Sequence, residues 1–284
     1  MSVFVVLALV VLAGYMIFAL SSNLTYWYET LNSPEPAIPS PRPGVFSCLY
    51  FYANSLGSYF LCALIFVLGP FSHRGIKKAQ GEASGLPPLI LIHGIYNSAA
   101  VWLYLGHRFR KAGFPLSTCS YHSFFSSPDR ILQKLEKHVR AVEAAFPGRK
   151  PVFVCHSMGG LLVRHWLLTP DNRERAGGLI TLGTPHKGSK VAALGPGSLV
   201  KNLMPTAAFI TALQGVPEPE GLHRVSLVSP TDEAVLPASN LIPPQGWRMR
   251  VTNPLGHFTM LFCPRAAALV MRELEECAKG KTAA

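Results

Sequence analysis

The stretch Val152-Phe153-Val154-Cys155-His156-Ser157-Met158-Gly159-Gly160 carries the strongest structural signal in the chain. Its first four residues form an apolar run typical of a buried strand, and a helix is predicted from Met158 to about Leu168. A serine between a strand and a helix fits a strained turn that exposes a nucleophile, and such a turn needs small residues two positions to either side. Gly159 is small, whereas Cys155 replaces the first glycine of the G-x-S-x-G pattern, and we expect it to fit with slight crowding. The alternative is that Ser157 only caps the helix.

Strands and helices are predicted to alternate along residues 87–284. The predicted strands are Pro88–His93, Pro115–Tyr121, Val152–Cys155, Gly178–Leu182, Arg224–Val228 and Arg248–Thr252. The predicted helices are Ser98–Ala112, Pro128–Phe146, Met158–Leu168 and Pro264–Cys277. This alternation indicates an α/β domain with a mostly parallel, doubly wound sheet of about six strands, covered on both faces.

A serine nucleophile needs a histidine that accepts its proton and a carboxylate that orients the histidine. After a strand–turn–helix of this kind, the acid and then the histidine follow the serine along the chain. The chain has only three aspartates, and Asp129 and Asp171 fit helix starts or surface loops. Asp232 follows the predicted strand Arg224–Val228, where the acid is expected, and the adjacent Glu233 is the alternative.

A single histidine, His257, lies downstream of Asp232, on a Gly/Pro loop before the last predicted helix. The required order therefore selects it, and the predicted catalytic residues are Ser157, Asp232 and His257. We interpret His156 as structural, because its side chain should leave the turn in a different direction from that of the serine.

Two backbone N–H groups are needed to stabilise the oxyanion, one from the residue after the nucleophile and one from the loop after the first strand. Met158 and Ile95 occupy these positions, the latter within His93-Gly94-Ile95-Tyr96. The alternative for the His-Gly pair is an ordinary turn at the end of a strand.

Residues 1–71 form an apolar front with only three formal charges, Glu29, Glu35 and Arg42. The segment 3–20 is uncharged and is followed by the aromatic residues 26–28, a pattern typical of a membrane-spanning helix. A secretory signal peptide is the alternative, but no Lys or Arg precedes the segment.

A second apolar run, residues 45–71, follows a Pro-rich link. Its middle is polar (Asn54, Ser55, Gly57, Ser58), so it could span the membrane, re-enter it or lie in the interface; we favour spanning. Arg74, Lys77 and Lys78 follow directly, and positive flanks tend to remain in the cytoplasm. We therefore expect a membrane anchor over 1–71, a linker over 72–86 and a catalytic domain over 87–284 that faces the cytoplasm at the inner membrane.

Residues 72–284 hold 25 of the 26 Lys/Arg and 13 of the 15 Asp/Glu, a net charge of +12. No recognition motif or aromatic–basic platform indicates nucleic-acid binding, and we expect this basic surface to face anionic lipid headgroups. The six cysteines show neither a C-x-x-C pair nor metal-like spacing with histidine, so we expect reduced thiols, no disulfide framework, no metal and no cofactor.

The body resembles the small bacterial triacylglycerol lipases of the α/β-hydrolase superfamily over about residues 86–278. It is also similar to the membrane-bound deacylases of lipid-linked inositol. The motifs that carry the resemblance are Ile92-His93-Gly94-Ile95, His156-Ser157-Met158-Gly159-Gly160, Leu182-Gly183-Thr184-Pro185-His186-Lys187-Gly188-Ser189 and Gly256-His257-Phe258. In such lipases the residue after His-Gly donates to the oxyanion, which supports Ile95. Cys155 and the apolar front depart from the family pattern.

The resemblance implies a membrane-anchored lipase or carboxylesterase that acts on a lipid or acyl-ester substrate. The alternatives are an acyltransferase with the same residues and a non-catalytic membrane-bound binding protein. Residues 190–220 fall where such hydrolases carry a lid, or they form an amphipathic helix on the core. We expect the stretch Thr184-Pro185-His186 to shape a loop near the site, without a direct catalytic role for His186. The sequence does not predict the oligomeric state.

Overall fold

The computed structural model describes residues 3–32, 38, 44–68 and 85–280. Most of the expected linker, with Arg74, Lys77 and Lys78, lies outside these residues. The domain boundaries proposed from the sequence therefore remain predictions.

Six parallel strands form a single sheet in the order β2-β1-β3-β4-β5-β6 within the described residues. Their bounds are β1 Leu89–Ile92, β2 Leu116–Cys119, β3 Val152–His156, β4 Gly178–Leu182, β5 Arg224–Val228 and β6 Arg248–Val251. The prediction of a mostly parallel sheet of about six strands is confirmed. Because β2 and β3 lie on opposite sides of β1, the strand order reverses there, and in open α/β sheets ligands bind beyond the carboxyl ends at such a point.

Nine α-helices accompany the sheet in the part of the chain that is described. They are α1 Val3–Asn32, α2 Val45–Leu68, α3 Leu103–Lys111, α4 Pro128–Ala145, α5 Met158–Trp166, α6 Pro170–Arg175, α7 Ser198–Lys201, α8 Ala208–Thr211 and α9 Pro264–Ala278. The helix predicted from Ser98 begins instead with a 3₁₀ turn, Ala99–Trp102, whose first turn is capped by the Ser98 side chain. Asp129 and Asp171 lie in the first turns of α4 and α6, as expected for helix starts.

Both faces of the sheet are covered, which agrees with the mostly apolar, fully buried strands β1, β3 and β4. Alternate residues of β1 point to opposite sides: Ile90 and Ile92 join the core under α4 and α5, whereas Leu89 and Leu91 join the core under α3 and α9. Residues of α1 and α2, including Ala19 and Tyr59, belong to this second core. The apolar front therefore packs directly on the α/β body.

The helices α1 and α2 form a hairpin, held by a hydrogen bond from Asn23 Nδ2 to Ser55 Oγ at 3.0 Å. The polar middle of the second apolar run has a structural reason, because Ser55 and Ser58 are buried while Gly57 is exposed. The outward face of the hairpin is strongly apolar. Its exposed side chains are Val5, Val6, Leu7, Leu9, Val10, Ile17, Leu20, Leu24, Tyr28, Leu31, Val45, Phe46, Leu49, Tyr50, Phe60 and Leu64.

One helix among the described residues, Val5–Asn32, is long and apolar enough to cross a membrane, with a mean hydropathy of 2.4 over its most apolar window. A signal sequence near an N-terminus also passes this test of length and composition. In α2 the corresponding apolar stretch, Leu49–Ile65, is shorter.

The segment 190–220 forms a 3₁₀ turn, Lys190–Leu194, followed by the short helices α7 and α8. A continuous amphipathic helix is therefore the wrong prediction for this segment. Glycines and prolines at 195–197 and Pro205 interrupt the helical pattern. Several of its apolar residues, including Leu203 and Ile210, belong to the core under α4 and α5.

Candidate active site

Ser157 lies in a strained turn between β3 and α5, with φ 53° and ψ −124°. A positive φ is rare for a residue with a side chain and costs on the order of 1–3 kcal/mol, which the surrounding structure must offset. Two contacts fix the turn: the N–H of Ser157 donates to the carbonyl of Leu182 at 2.9 Å, and the hydroxyl of Thr184 donates to the carbonyl of Ser157 at 2.9 Å. The expected strand–turn–helix around this serine is present.

Glycines next to this turn are required by close packing. A Cβ on Gly159 would lie 2.5 Å from the carbonyl oxygen of Ile92, and one on Gly94 would lie 2.8 Å from Cβ of Ser157. Cys155, in the position of the first pattern glycine, is fully buried near the end of β3. Burial raises the pKa of its thiol well above the usual range, so we expect it to stay protonated.

The imidazole of His257 is paired with the carboxylate of Asp232. Its Nδ1 lies 2.8 Å from Oδ2 and 3.0 Å from Oδ1. Since a carboxylate only accepts, Nδ1 carries the proton and Nε2 is left to accept one. Gly183 makes room for the pair, because a Cβ there would lie 2.9 Å from Asp232 Oδ2 and 3.0 Å from His257 Nδ1.

Burial lowers the pKa of His257, but the negative charge and hydrogen bond of Asp232 outweigh it, and the pKa lies above its ordinary value. The imidazolium form is thus favoured next to Asp232. Such a pairing stabilises the charged histidine that forms when a serine hydroxyl gives up its proton.

The main chain of His257 is held from both sides by buried side chains. Its N–H donates to Oε2 of Glu233 at 3.0 Å, and its carbonyl accepts from Nε2 of His156 at 3.1 Å. Glu233 therefore contacts the backbone of His257, whereas Asp232 contacts its ring. Burial, followed by the charge of Asp232, raises the pKa of Glu233. Burial and the neighbouring His257 lower the pKa of His156, which favours its neutral form.

The two residues expected to donate to an oxyanion lie on either side of the serine. Met158 opens α5, and the first N–H groups of a helix have no partner within it. Ile95 lines the same cavity as Ser157 and His257. The loop before Ile95 is braced by His93, whose Nδ1 lies 2.7 Å from the carbonyl of Gly94 and whose ring stacks on Tyr121.

Ser157 and His257 both line a small cavity of about 50 Å³ that is partly open to solvent. Most of its lining is apolar and comes from five separate parts of the chain: Phe18, Ile95, Pro185, Val191, Ala192, Val200, Leu203, Ala234, Val235 and Phe258. Phe18 belongs to α1, so the apolar front supplies part of the wall. His186 is turned away, with Nε2 at 3.0 Å from Oγ of Ser226.

The contacts that Thr184, Glu233 and Phe18 make at the site were not predicted from the sequence. The Gly-Thr-Pro-His stretch indicated a loop near the site, but not the hydrogen bond of Thr184 to the nucleophile turn. Glu233 was considered only as an alternative acid. No pattern connected Phe18 to the cavity, because it lies in a uniformly apolar segment more than 130 positions before the serine.

Comparison with known proteins agrees with this architecture. A family model described as the alpha/beta hydrolase fold matches residues 87–212. No curated protein matches the sequence.

Among solved structures, the Bacillus licheniformis lipase BlEst2 in mature form is similar with 19% identity and a TM-score of 0.61, over 70% of this chain and 96% of that one. Aspergillus fumigatus lipase B is similar with 17% identity and a TM-score of 0.56, over 72% and 57% of the two chains. The metagenomic carboxyl esterase MGS0156 is similar with 18% identity and a TM-score of 0.52, over 69% and 77%.

The body of this chain therefore has the α/β-hydrolase fold. The similar solved structures of this fold carry the names of lipases and a carboxyl esterase.

Proposed function

We propose that this chain is a serine hydrolase that cleaves acyl esters of lipid-like substrates. The observation that carries the proposal is the cavity itself: Ser157 and His257 both line it, and His257 is bound to the buried carboxylate of Asp232. A serine, a histidine and an aspartate in these relations are the parts that acyl transfer through a serine requires.

In the proposed reaction, the hydroxyl of Ser157 attacks the ester carbonyl while Nε2 of His257 accepts its proton. Asp232 stabilises the imidazolium, and the N–H groups of Ile95 and Met158 stabilise the oxyanion. His257 then protonates the leaving alcohol, and the acyl group remains on Ser157. Water, deprotonated by His257, hydrolyses this acyl-enzyme and restores the serine.

The apolar lining of the cavity favours an acyl chain over a polar acid. Ligand cavities of this kind obtain most of their affinity from apolar contact and their orientation from a few polar groups. The similar solved structures carry names of lipases and a carboxyl esterase, which supports the same substrate class.

The proposed location is the cytoplasmic side of the inner membrane. The outward face of the hairpin is apolar and suits lipid, and residues 72–284 carry a net charge of +12 that suits anionic headgroups. Because the inner face of the hairpin packs on the body, the site would sit against the membrane rather than at the end of a tether.

Labelling with a fluorophosphonate probe tests the proposed reaction. The wild-type chain should be labelled and should hydrolyse p-nitrophenyl esters, whereas Ser157→Ala should lose labelling and at least about three orders of magnitude in rate. A Ser126→Ala variant, which removes a half-buried hydroxyl from the loop before α4, serves as the matched control. Retention of more than about a tenth of the activity in Ser157→Ala would contradict the assignment.

A further inference from the structure

A line of buried hydrogen bonds connects the helical hairpin to the histidine of the site. Asn23 Nδ2 on α1 donates to Ser55 Oγ on α2 at 3.0 Å, and Ser55 Oγ donates to Glu233 Oε1 at 2.7 Å. The other oxygen of Glu233, Oε2, accepts from the N–H of His257 at 3.0 Å. All four residues are buried.

The two oxygens of Glu233 have separate partners from distant parts of the chain. A buried carboxylate that loses a hydrogen bond is destabilised. Movement of either Ser55 or the His257 N–H away from Glu233 therefore costs free energy, and this keeps both partners in place. The position of the His257 backbone is thus fixed by a side chain that is itself fixed by α2.

Two other contacts join the hairpin to the loops that carry the site. The hydroxyl of Tyr26 on α1 donates to the carbonyl of Pro230, two residues before Asp232, at 3.0 Å. The ring of Tyr59 on α2 packs edge to face on Phe258, directly after His257, with centroids 4.9 Å apart. Both loops are therefore held by the same pair of helices.

We propose that Glu233 is a positioning residue through which the α1–α2 hairpin holds His257 in its working geometry. The hairpin is then a component of the active site in addition to its place in the membrane. This inference rests on the proposed function, because it assigns Glu233 a role in the reaction of Ser157 and His257.

The expected effect is on the chemical step. A displaced His257 transfers protons less well, whereas the apolar wall that holds the acyl chain is unaltered, so kcat falls while KM stays constant. Loss of one hydrogen bond to a charged group predicts about a tenfold decrease in kcat for Ser55→Ala and for Glu233→Gln. Both substitutions break the same hydrogen-bonded connection between α2 and His257. The Ser55→Ala/Glu233→Gln double variant should therefore lose about as much kcat as either single variant.

The test uses the full-length chain in detergent or vesicles, with rates expressed per site labelled to completion by a fluorophosphonate. Ser58→Ala is the matched control, since Ser58 is buried on the same helix but donates only to the carbonyl of Ser55. Support consists of a tenfold lower kcat in Ser55→Ala, a KM within about twofold of wild type and an unchanged Ser58→Ala. If Glu233→Gln yields no labelled sites, the comparison of kcat and KM between Ser55→Ala and Ser58→Ala alone decides whether the inference holds.

A kcat for Ser55→Ala within twofold of wild type would overturn the inference, as would an equal loss in Ser58→Ala or losses that multiply in the double variant. These results would leave the proposed function intact provided that Ser157→Ala is inactive. Activity that persists in Ser157→Ala would instead refute the proposed function.

Discussion

The carboxylate of Asp232 has three partners: the ring of His257 and two backbone N–H groups of its own loop. Both oxygens contact Nδ1 of His257, and Oδ1 also accepts the N–H groups of Ala234 and Val235 at 3.0 and 3.2 Å. Hydrogen bonds from these backbone N–H groups fix the direction of the carboxylate. The aspartate thus presents a fixed negative charge to the imidazole.

The Asp232→Asn variant should move the pH dependence as well as lower the rate. His257 must be neutral to accept a proton, so kcat/KM rises with pH through its pKa, which Asp232 raises. Removal of the charge lowers that pKa, and the rise should shift to lower pH while the rate falls by roughly 10⁴-fold. A pH profile of p-nitrophenyl ester hydrolysis measures both quantities.

Asp171→Asn is the control for this experiment, because Asp171 lies in the first turn of α6. It should leave both the rate and the profile unchanged. An Asp232→Asn profile whose acid limb coincides with that of wild type would show that Asp232 does not set the charge state of the general base.

The helix α1 contributes to the cavity through Phe18, while its neighbour Ile17 points outward and is 66% exposed. Phe18→Ala should enlarge the cavity, so that the preferred p-nitrophenyl ester becomes longer and short esters lose apolar contact. Loss of a ring of this size predicts a decrease of about 10-fold or more in kcat/KM for short esters, from about 1.5–3 kcal/mol of burial.

The control is Ile17→Ala, which removes apolar area from the outer face of the same helix and should leave the ester profile unaltered. An identical chain-length profile in wild type and Phe18→Ala would mean that α1 does not contact the acyl chain.

The elements of the sheet were largely predictable, because β1, β3 and β4 are short, mostly apolar runs that are buried throughout. The order of Ser157, Asp232 and His257 along the chain also followed from the sequence. The position of α1 and α2 on the body could not be predicted from the sequence. Their apolar residues suit lipid and protein equally, and only a few polar groups, Asn23 and Ser55 among them, determine which face turns inward.

The short helices between residues 190 and 220 show the same limit. Their apolar spacing suggested either a lid or one amphipathic helix. The structure has short helices instead of one continuous helix, and the lid stays a prediction. Val200 and Leu203 line the cavity and also belong to the core, so one side chain serves both surfaces. A periodic apolar pattern cannot show whether a residue faces the protein core or the cavity, because both surroundings are apolar.

The topology of this chain in the membrane depends on whether the second helix of the hairpin returns across the bilayer. If both helices cross the bilayer, a reporter active only in the periplasm or lumen should give no signal when it is fused after Ala284. The same reporter placed in the link between the helices, after Pro36, should give a strong signal and is the matched control. A strong signal after Ala284 would place the body on the opposite side and leave the assignment of Ser157, Asp232 and His257 unaffected.

The hairpin and the loops that it holds lie far apart in the sequence, which has a consequence for the timing of synthesis. Tyr26 and Pro230 are separated by 204 positions, and Ser55 and Glu233 by 178. A ribosome makes the hairpin first and the histidine loop last, and contacts between distant segments form late in folding. Under the proposed function, hydrolytic activity would thus arise only after the nascent chain is nearly complete, long after its first two helices have been made.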